Sequence, residues 1–313
     1  MTLRRSLPAI SLACGLLLLV WVMRAFPISD VIRAVLRLGP GIFLTVAAAL
    51  SWHACNTFAF RALLGDAFSF FALFYNRLVG DAYNNLLPLA GLGGEPFKLR
   101  HLTTRVPVPE ATLALIRDRV IESTFGVAFS CVGIVAILLG ATFPTALPVL
   151  LRGALWMIAA VFAVITGVAI LAVRSSLPAK LGGRLTAPFG AGTPPLHGMS
   201  ARQLLRVVCW HLPARMLGWA EVAILLHLLR VPMSLPTVVL VDNFLHVAGF
   251  IGFAIPQGLG VQEGASVYIL GVFGQSGPEA IAFSLARRGR GLLVSVLGIA
   301  LHLASLPRRA SQG

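Results

Sequence analysis

The chain has 313 residues, 58% of them hydrophobic and 12% charged, with a mean hydropathy of +0.88. These values exclude a soluble globular protein and indicate an integral membrane protein, whose length counts spans of roughly 20 apolar residues each. A formal net charge of +14 would suit a nucleic-acid binder. The arginines instead sit in short loops between apolar runs, and no aromatic-interleaved basic segment occurs, so no nucleic-acid partner is expected.

The first apolar run, 7–23, follows Arg4 and Arg5 and lacks a clean small-residue cleavage site, so it reads as a retained span rather than a signal peptide. The stretch 24–40 holds Arg24, Arg33 and Arg37, and the spacing of Val31, Val35 and Leu38 predicts an interfacial amphipathic helix with snorkelling arginines. Further spans are predicted at 41–64, 111–140, 149–173, 204–229 and 279–306, about six in all with the first. Two other apolar regions, 67–94 and 235–276, contain Pro/Gly segments and predict broken, re-entrant helical hairpins. The fold class is thus an all-α polytopic membrane protein forming one membrane domain over 1–313. Cys14, Cys55, Cys131 and Cys209 lie singly within apolar runs and are expected to be unpaired packing residues.

The two Pro/Gly segments are alike. Pro88, Gly91, Gly93, Gly94 and Glu95 make up the first; Pro256, Gly258, Gly260 and Glu263 the second, with both the prolines and the glutamates 168 residues apart. Arginines and lysine at 174–206, an uncharged loop 141–148, and Arg308 with Arg309 place both termini in the cytoplasm. On that orientation span 111–140 starts inside and span 279–306 outside. The chain then divides into a first repeat, 1–140, and an inverted second repeat, 141–306. Each reads as span, span, hairpin, span. Asn76 with Asn243, Trp52 with Trp219, and Pro109-Glu110-Ala111 with Pro278-Glu279-Ala280 follow nearly the same shift, which aligns Arg119 with either Arg287 or Arg288.

Inverted repeats with broken helices are the architecture of secondary transporters, in which irregular backbone lines a midplane cavity. Glycines let amide groups face a ligand, and a helix start favours an anion. Glu95 and Glu263 either bind a cationic moiety, carry a coupling proton, or pair with Arg119 and with Arg287 or Arg288. Arg119 and Glu122, three residues apart, share a helical face directed into the bundle. Arg287, Arg288 and Arg290 sit at an outer end against the positive-inside trend, and phosphate contact would explain the placement. Asp81, Asn84 and Asn85 in the first hairpin, and Asp242, Asn243 and His246 in the second, supply polar groups for exposed backbone or for a solute. Glu221 is expected either to partner Arg215 or to line a conduit. His53, His211, His227 and His302 read as ordinary core or interfacial histidines.

Nucleotide-binding, zinc-protease and nucleophile-elbow signatures are absent, and the one sizeable extramembrane stretch, 174–203, is too short for a catalytic domain. No enzyme activity, cofactor or metal is expected. The candidate acid/base pairs for a lipid-modifying transferase or hydrolase are Glu95 with His101 and Asp242 with His246.

Asn85-Leu-Leu-Pro88 running into Gly93-Gly94-Glu95-Pro-Phe-Lys98, followed by Arg117-Asp118-Arg119, resembles the transmembrane flippase-like domain of lysylphosphatidylglycerol synthases and its stand-alone relatives. Ile255-Pro256-Gln-Gly258-Leu-Gly260-Val-Gln-Glu263-Gly264 with the arginine group is similar to that family's second signature, and the chain is most like short members found beside hopanoid-biosynthesis genes. The resemblance covers about 40–306. It implies translocation of a charged-headed lipid between leaflets of a bacterial inner membrane, with Glu95, Arg119, Glu263 and Arg287 or Arg288 required. Val261-Gln262 stands where the family often has a second glycine. The synthases' aminoacyl-transferase domain has no counterpart before Gly313, so lysyl-lipid synthesis does not carry over. The expected partners are a membrane lipid, a second copy of the chain, or lipid-biosynthesis proteins. An accessory role in hopanoid or phospholipid synthesis is the alternative.

Overall fold

The computed structural model describes residues 3–87, 93–140, 149–175, 199–252, 255, 258–275 and 277–306. Every regular element among them is helical: α1 Leu3–Arg24, α2 Ile28–Leu38, α3 Ile42–Leu64, α4 Phe70–Leu86, α5 Glu95–Leu102, α6 Val108–Gly140, α7 Val149–Arg174, α8 Ala201–Leu228, α9 Leu235–Ile251, α10 Val261–Val272 and α11 Gly277–Ser305. The long helices fall where the apolar runs predict them. The first hairpin differs from its predicted bounds, because its second arm, α5, begins where the apolar pattern stops. Gly93 and Gly94 form the turn into it. Pro88, Gly91 and Pro256 lie outside the described residues.

Local chemistry explains several boundaries. Ser69, Ser200 and Ser234 each accept a hydrogen bond from the backbone N–H three residues on, capping α4, α8 and α9. Pro236 stands in the first turn of α9, where its missing N–H costs nothing. In α2, Val31, Ala34 and Leu38 form one buried stripe, and Arg37 on its exposed side reaches Glu279 of α11 at 3.0 Å.

The polarity of the molecule is inverted relative to a soluble protein. Trp21, Leu17, Met157, Val164, Leu171, Val296 and Leu303 are more than half exposed, whereas Asn56, Arg77, Asp118, Arg215, Asp242 and Glu263 are buried. So much exposed apolar surface is stable only against lipid. One continuous helical stretch among the described residues, Ile28–Ala67, is long and apolar enough to cross a membrane by composition alone. α6, α8 and α11 carry charges midway along their length, which interrupts their apolar surface and places ionisable groups inside the bundle.

Helix α3 packs along α8, α6 along α7, and α4 along α11. The largest apolar core joins α2, α8, α9, α10 and α11 through Leu38, Leu225, Leu226, Leu270 and Phe283. A second core, Phe60, Phe68, Leu73, Leu102 and Ala111, joins α3, α4, α5 and α6.

Candidate functional site

Two clusters of buried charge flank the α4–α11 contact. The first is built on one face of α4, where Arg77, Asp81 and Asn84 recur at spacings of four and three. Helix α5 starts against that face because Gly94 approaches Gly80 so closely that a Cβ on Gly94 would meet the Gly80 carbonyl oxygen at 1.8 Å. Asn84 fastens the junction by accepting from the Gly94 N–H at 2.7 Å and donating to Glu95 Oε1 at 3.3 Å.

Glu95 Oε1 is the hub. It accepts from Arg119 Nη2 at 2.8 Å, from Arg119 Nε at 3.2 Å and from Lys98 Nζ at 3.4 Å. Lys98 also donates to Asp81 Oδ1 at 2.7 Å, and His53 Nδ1 lies 3.4 Å from Asp81 Oδ2. Deeper in the bundle, Arg77 Nη2 donates to Asp118 Oδ2 at 2.7 Å and to the Asn56 carbonyl at 3.3 Å. Its Nη1 reaches Glu122 Oε2 at 3.4 Å, and Asn56 Oδ1 is 2.7 Å from His211 Nδ1. Charge-assisted bonds of this kind compensate much of the cost of removing the ions from water. With both histidines neutral, Asp81, Glu95, Asp118 and Glu122 outnumber Arg77, Lys98 and Arg119 by one negative charge.

The second cluster is centred on Glu263 at the start of α10. Gly260, with φ +77°, turns the chain there; a Cβ on it would lie 2.6 Å from Leu18 Cβ of α1, so only glycine fits. The Gly260 N–H donates to Glu263 Oε2 at 2.8 Å, which closes the helix start. Ser284 Oγ donates to Glu263 Oε1 at 3.2 Å, and Arg288 Nη2 donates to Oε2 at 3.0 Å and to the Gly258 carbonyl at 3.3 Å. Arg288, not Arg287, is therefore the partner of Glu263. Glu95 with Arg119 and Glu263 with Arg288 are the same two elements in each half of the chain: the carboxylate opening a short helix and an arginine on the next long one.

Glu221 does not pair with Arg215. It faces Arg290 Nη1 at 3.0 Å and Arg287 Nε at 3.7 Å, while Arg215 donates to Asp242 Oδ2 and to His246 Nε2, both at 2.6 Å, and His246 Nδ1 donates to the Asp242 carbonyl at 2.9 Å. The reason is steric: Arg215 and Glu221 are six residues apart on α8 and point to different sides of it. Glu122 likewise shares a face with Arg119 but bonds Arg77 of α4 instead. Counting the second cluster with His246 neutral, Arg215, Arg287, Arg288 and Arg290 outnumber Glu221, Asp242 and Glu263 by one positive charge.

A cavity of about 600 Å³ opens beside the second cluster. Arg287, Arg288 and Arg290 form one wall, with Asn85, Ser266, Ser284, Ser295, His246 and Gln262 around them and Leu245, Gly249, Gly291 and Leu292 completing the lining. Asn85 Nδ2 donates to Ser295 Oγ at 3.2 Å, tying α4 to this wall. Asn243 does not reach the cavity lining. Its amide is buried against Gly133 of α6 and makes no hydrogen bond among the described residues. Gly93 packs on Leu87, and Gly258 contributes its carbonyl to Arg288.

Several participants carried no sequence signal strong enough to separate them from ordinary core residues. His53 and His211 look like isolated helix histidines, and Lys98 ends the Gly93–Lys98 motif with no role assigned to it. Arg77 and Asp118 become a pair only when α4 meets α6. His101 sits among the rings of Phe68, Tyr75 and Phe97, and no contact joins it to Glu95 among the described residues. No group of three His, Cys, Asp or Glu among the described residues is arranged to hold a metal ion, and all four cysteines are unpaired.

Comparison with curated proteins gives no match. The family described as the lysylphosphatidylglycerol synthase TM region matches residues 9–298, a stretch that includes every residue of both clusters and of the cavity wall. Helices that expose apolar surface outward and bury ion pairs inward suit a transmembrane region. The chain belongs to the lysylphosphatidylglycerol synthase TM region family and is a helical membrane protein.

Proposed function

We propose that the protein moves a polar-headed lipid between the leaflets of a bacterial inner membrane, with both termini cytoplasmic. The observation that carries this reading is a cavity of about 600 Å³ walled by Arg287, Arg288 and Arg290 in a molecule whose outer surface is apolar. Arginines inside a membrane bundle are costly and mark paths for polar solutes. The paired elements Glu95–Arg119 and Glu263–Arg288 support the inverted repeat of 1–140 and 141–306, and the turns at Gly93–Gly94 and Gly258–Gly260 support two re-entrant hairpins. Alternation between two packings of such halves exposes a central cavity to each leaflet in turn. Ion pairs that re-form between the two packings act as the gate.

A lipid-modifying enzyme needs a free acid/base pair, and here Arg215 donates to His246 Nε2 and to Asp242 Oδ2 while His246 Nδ1 donates to the Asp242 carbonyl. That occupancy favours transport over chemistry. The test is reconstitution of the purified chain in liposomes carrying head-labelled lipids, with quenching of the outer-leaflet label. Exchange faster than in protein-free vesicles supports translocation. No acceleration for any anionic, zwitterionic or terpenoid lipid rejects it. New lipid masses in the same vesicles would identify an enzyme, and full exchange only after adding lipid-synthesis proteins an accessory subunit.

A further inference from the structure

Arg287 is the least satisfied cation in either cluster. Its guanidinium makes no hydrogen bond among the described residues, the nearest carboxylate is Glu221 Oε1 at 3.7 Å, and Glu221 is already bonded to Arg290 at 3.0 Å. Its neighbours on α11 are committed. Arg288 spends Nε and Nη2 on Glu263 and Gly258, and Arg290 spends Nη1 on Glu221 and Nε on the Arg287 carbonyl at 3.5 Å. The Arg287 side chain is 23% exposed and lines the cavity, and its guanidinium donors are uncommitted there. The surrounding cluster carries one uncompensated positive charge.

We propose that this cavity binds the phosphate ester of an anionic lipid, with Arg287 as the principal contact and no site for a balancing ammonium group. A planar guanidinium matches two phosphate oxygens at once, and each such bond is stronger than a neutral one. The volume is far larger than inorganic phosphate needs and lies within the usual range for small-molecule sites. Ser266 and Gln262 in the lining offer a hydroxyl and an amide to a polyol attached to the phosphate. Leu292 lines the cavity while being 57% exposed, and Leu293 and Val296 continue the apolar surface outward. Acyl chains can stay in lipid while the head enters. The inference deepens the transport reading by naming the charge class of the head group.

The test is binding to the full chain in phosphatidylcholine nanodiscs, titrated with dioctanoyl phosphatidate, dioctanoyl phosphatidylcholine and inorganic phosphate. Phosphatidate is expected to bind about tenfold more tightly than phosphatidylcholine, and Arg287→Gln to remove that difference. Glu221→Gln is expected to tighten phosphatidate binding, because it unmasks Arg287 and Arg290. Gly291→Leu adds bulk where a Cβ meets nothing within 4 Å and is expected to block binding without touching a charge. Equal affinity for phosphatidate and phosphatidylcholine, or wild-type affinity in either Arg287→Gln or Gly291→Leu, overturns the proposal. Inorganic phosphate binding as tightly as phosphatidate overturns the lipid part. If Glu221→Gln does not fold, those two variants still decide. Selective binding without leaflet exchange rejects transport and leaves this site standing, while charge-blind binding with exchange does the reverse.

Discussion

Gly94 and Gly80 touch backbone to backbone, at a separation that leaves no room for a side chain. This contact seats α5 on α4 and points Glu95 and Lys98 at Asp81 and Asn84. Gly94→Ala is expected to destabilise the protein by at least about 1–3 kcal/mol, the usual cost of overpacking. Gly126→Ala is the control, since nothing lies within 4 Å of its Cβ position on α6, and it is expected to be neutral or to stabilise by up to ~1 kcal/mol. Thermal unfolding in detergent compares them, and equal midpoints would contradict the close-contact argument.

Arg77 holds Asp118 and Glu122 in a site where its own side chain is only 4% exposed. Arg77→Met leaves both carboxylates without their main cation and is expected to cost about 3–5 kcal/mol. Arg77→Met combined with Asp118→Leu is expected to recover part of that loss, because an apolar pair replaces a broken ionic one. The double-mutant cycle measures the coupling. A double variant as unstable as the sum of both singles would show that the pair does not act as a unit.

Glu263 and Glu95 are related by sequence but differ in exposure, with side chains 0% and 22% accessible. Glu263→Ala strands Arg288 and frees the Gly260 N–H and Ser284 together, so it is expected to be destabilising by about 3–5 kcal/mol. Glu95→Ala is expected to cost less than half as much, since water reaches its site and Lys98 retains Asp81. The reverse order in chemical denaturation would refute the ranking.

Arg119 is 40% exposed, so its bond to Glu95 contributes little to stability once screening is counted. Arg119→Ala is expected to leave the unfolding midpoint within a degree or two of wild type, a shift of under about 0.5 kcal/mol. On the gating role proposed for this pair, the same variant is expected to slow leaflet exchange at least about tenfold, equivalent to ~1.4 kcal/mol. Wild-type exchange in a folded Arg119→Ala protein would remove this pair from the transport path.

Much of the framework was legible in the chain. Apolar runs bounded by arginine, proline and glycine located α3, α6, α7, α8 and α11 to within a few residues, because helix formation in lipid is dictated by local hydropathy and backbone satisfaction. The repeated Gly-rich segment identified Glu95 and Glu263, and the matched arginines narrowed their partners to Arg119 and either Arg287 or Arg288.

Only the tertiary structure decided which charges meet. Arg288 rather than Arg287 takes Glu263, Glu221 faces Arg290 rather than Arg215, and Glu122 faces Arg77 rather than its neighbour Arg119. Spacing along a chain establishes which side of a helix a residue occupies. It does not establish which helix lies opposite, and an arginine side chain is long enough to reach several carboxylates across a bundle. Close contacts such as Gly94 on Gly80 and Gly298 on Leu78 select one packing among those alternatives, and that packing left the Arg287 guanidinium uncommitted at the cavity wall.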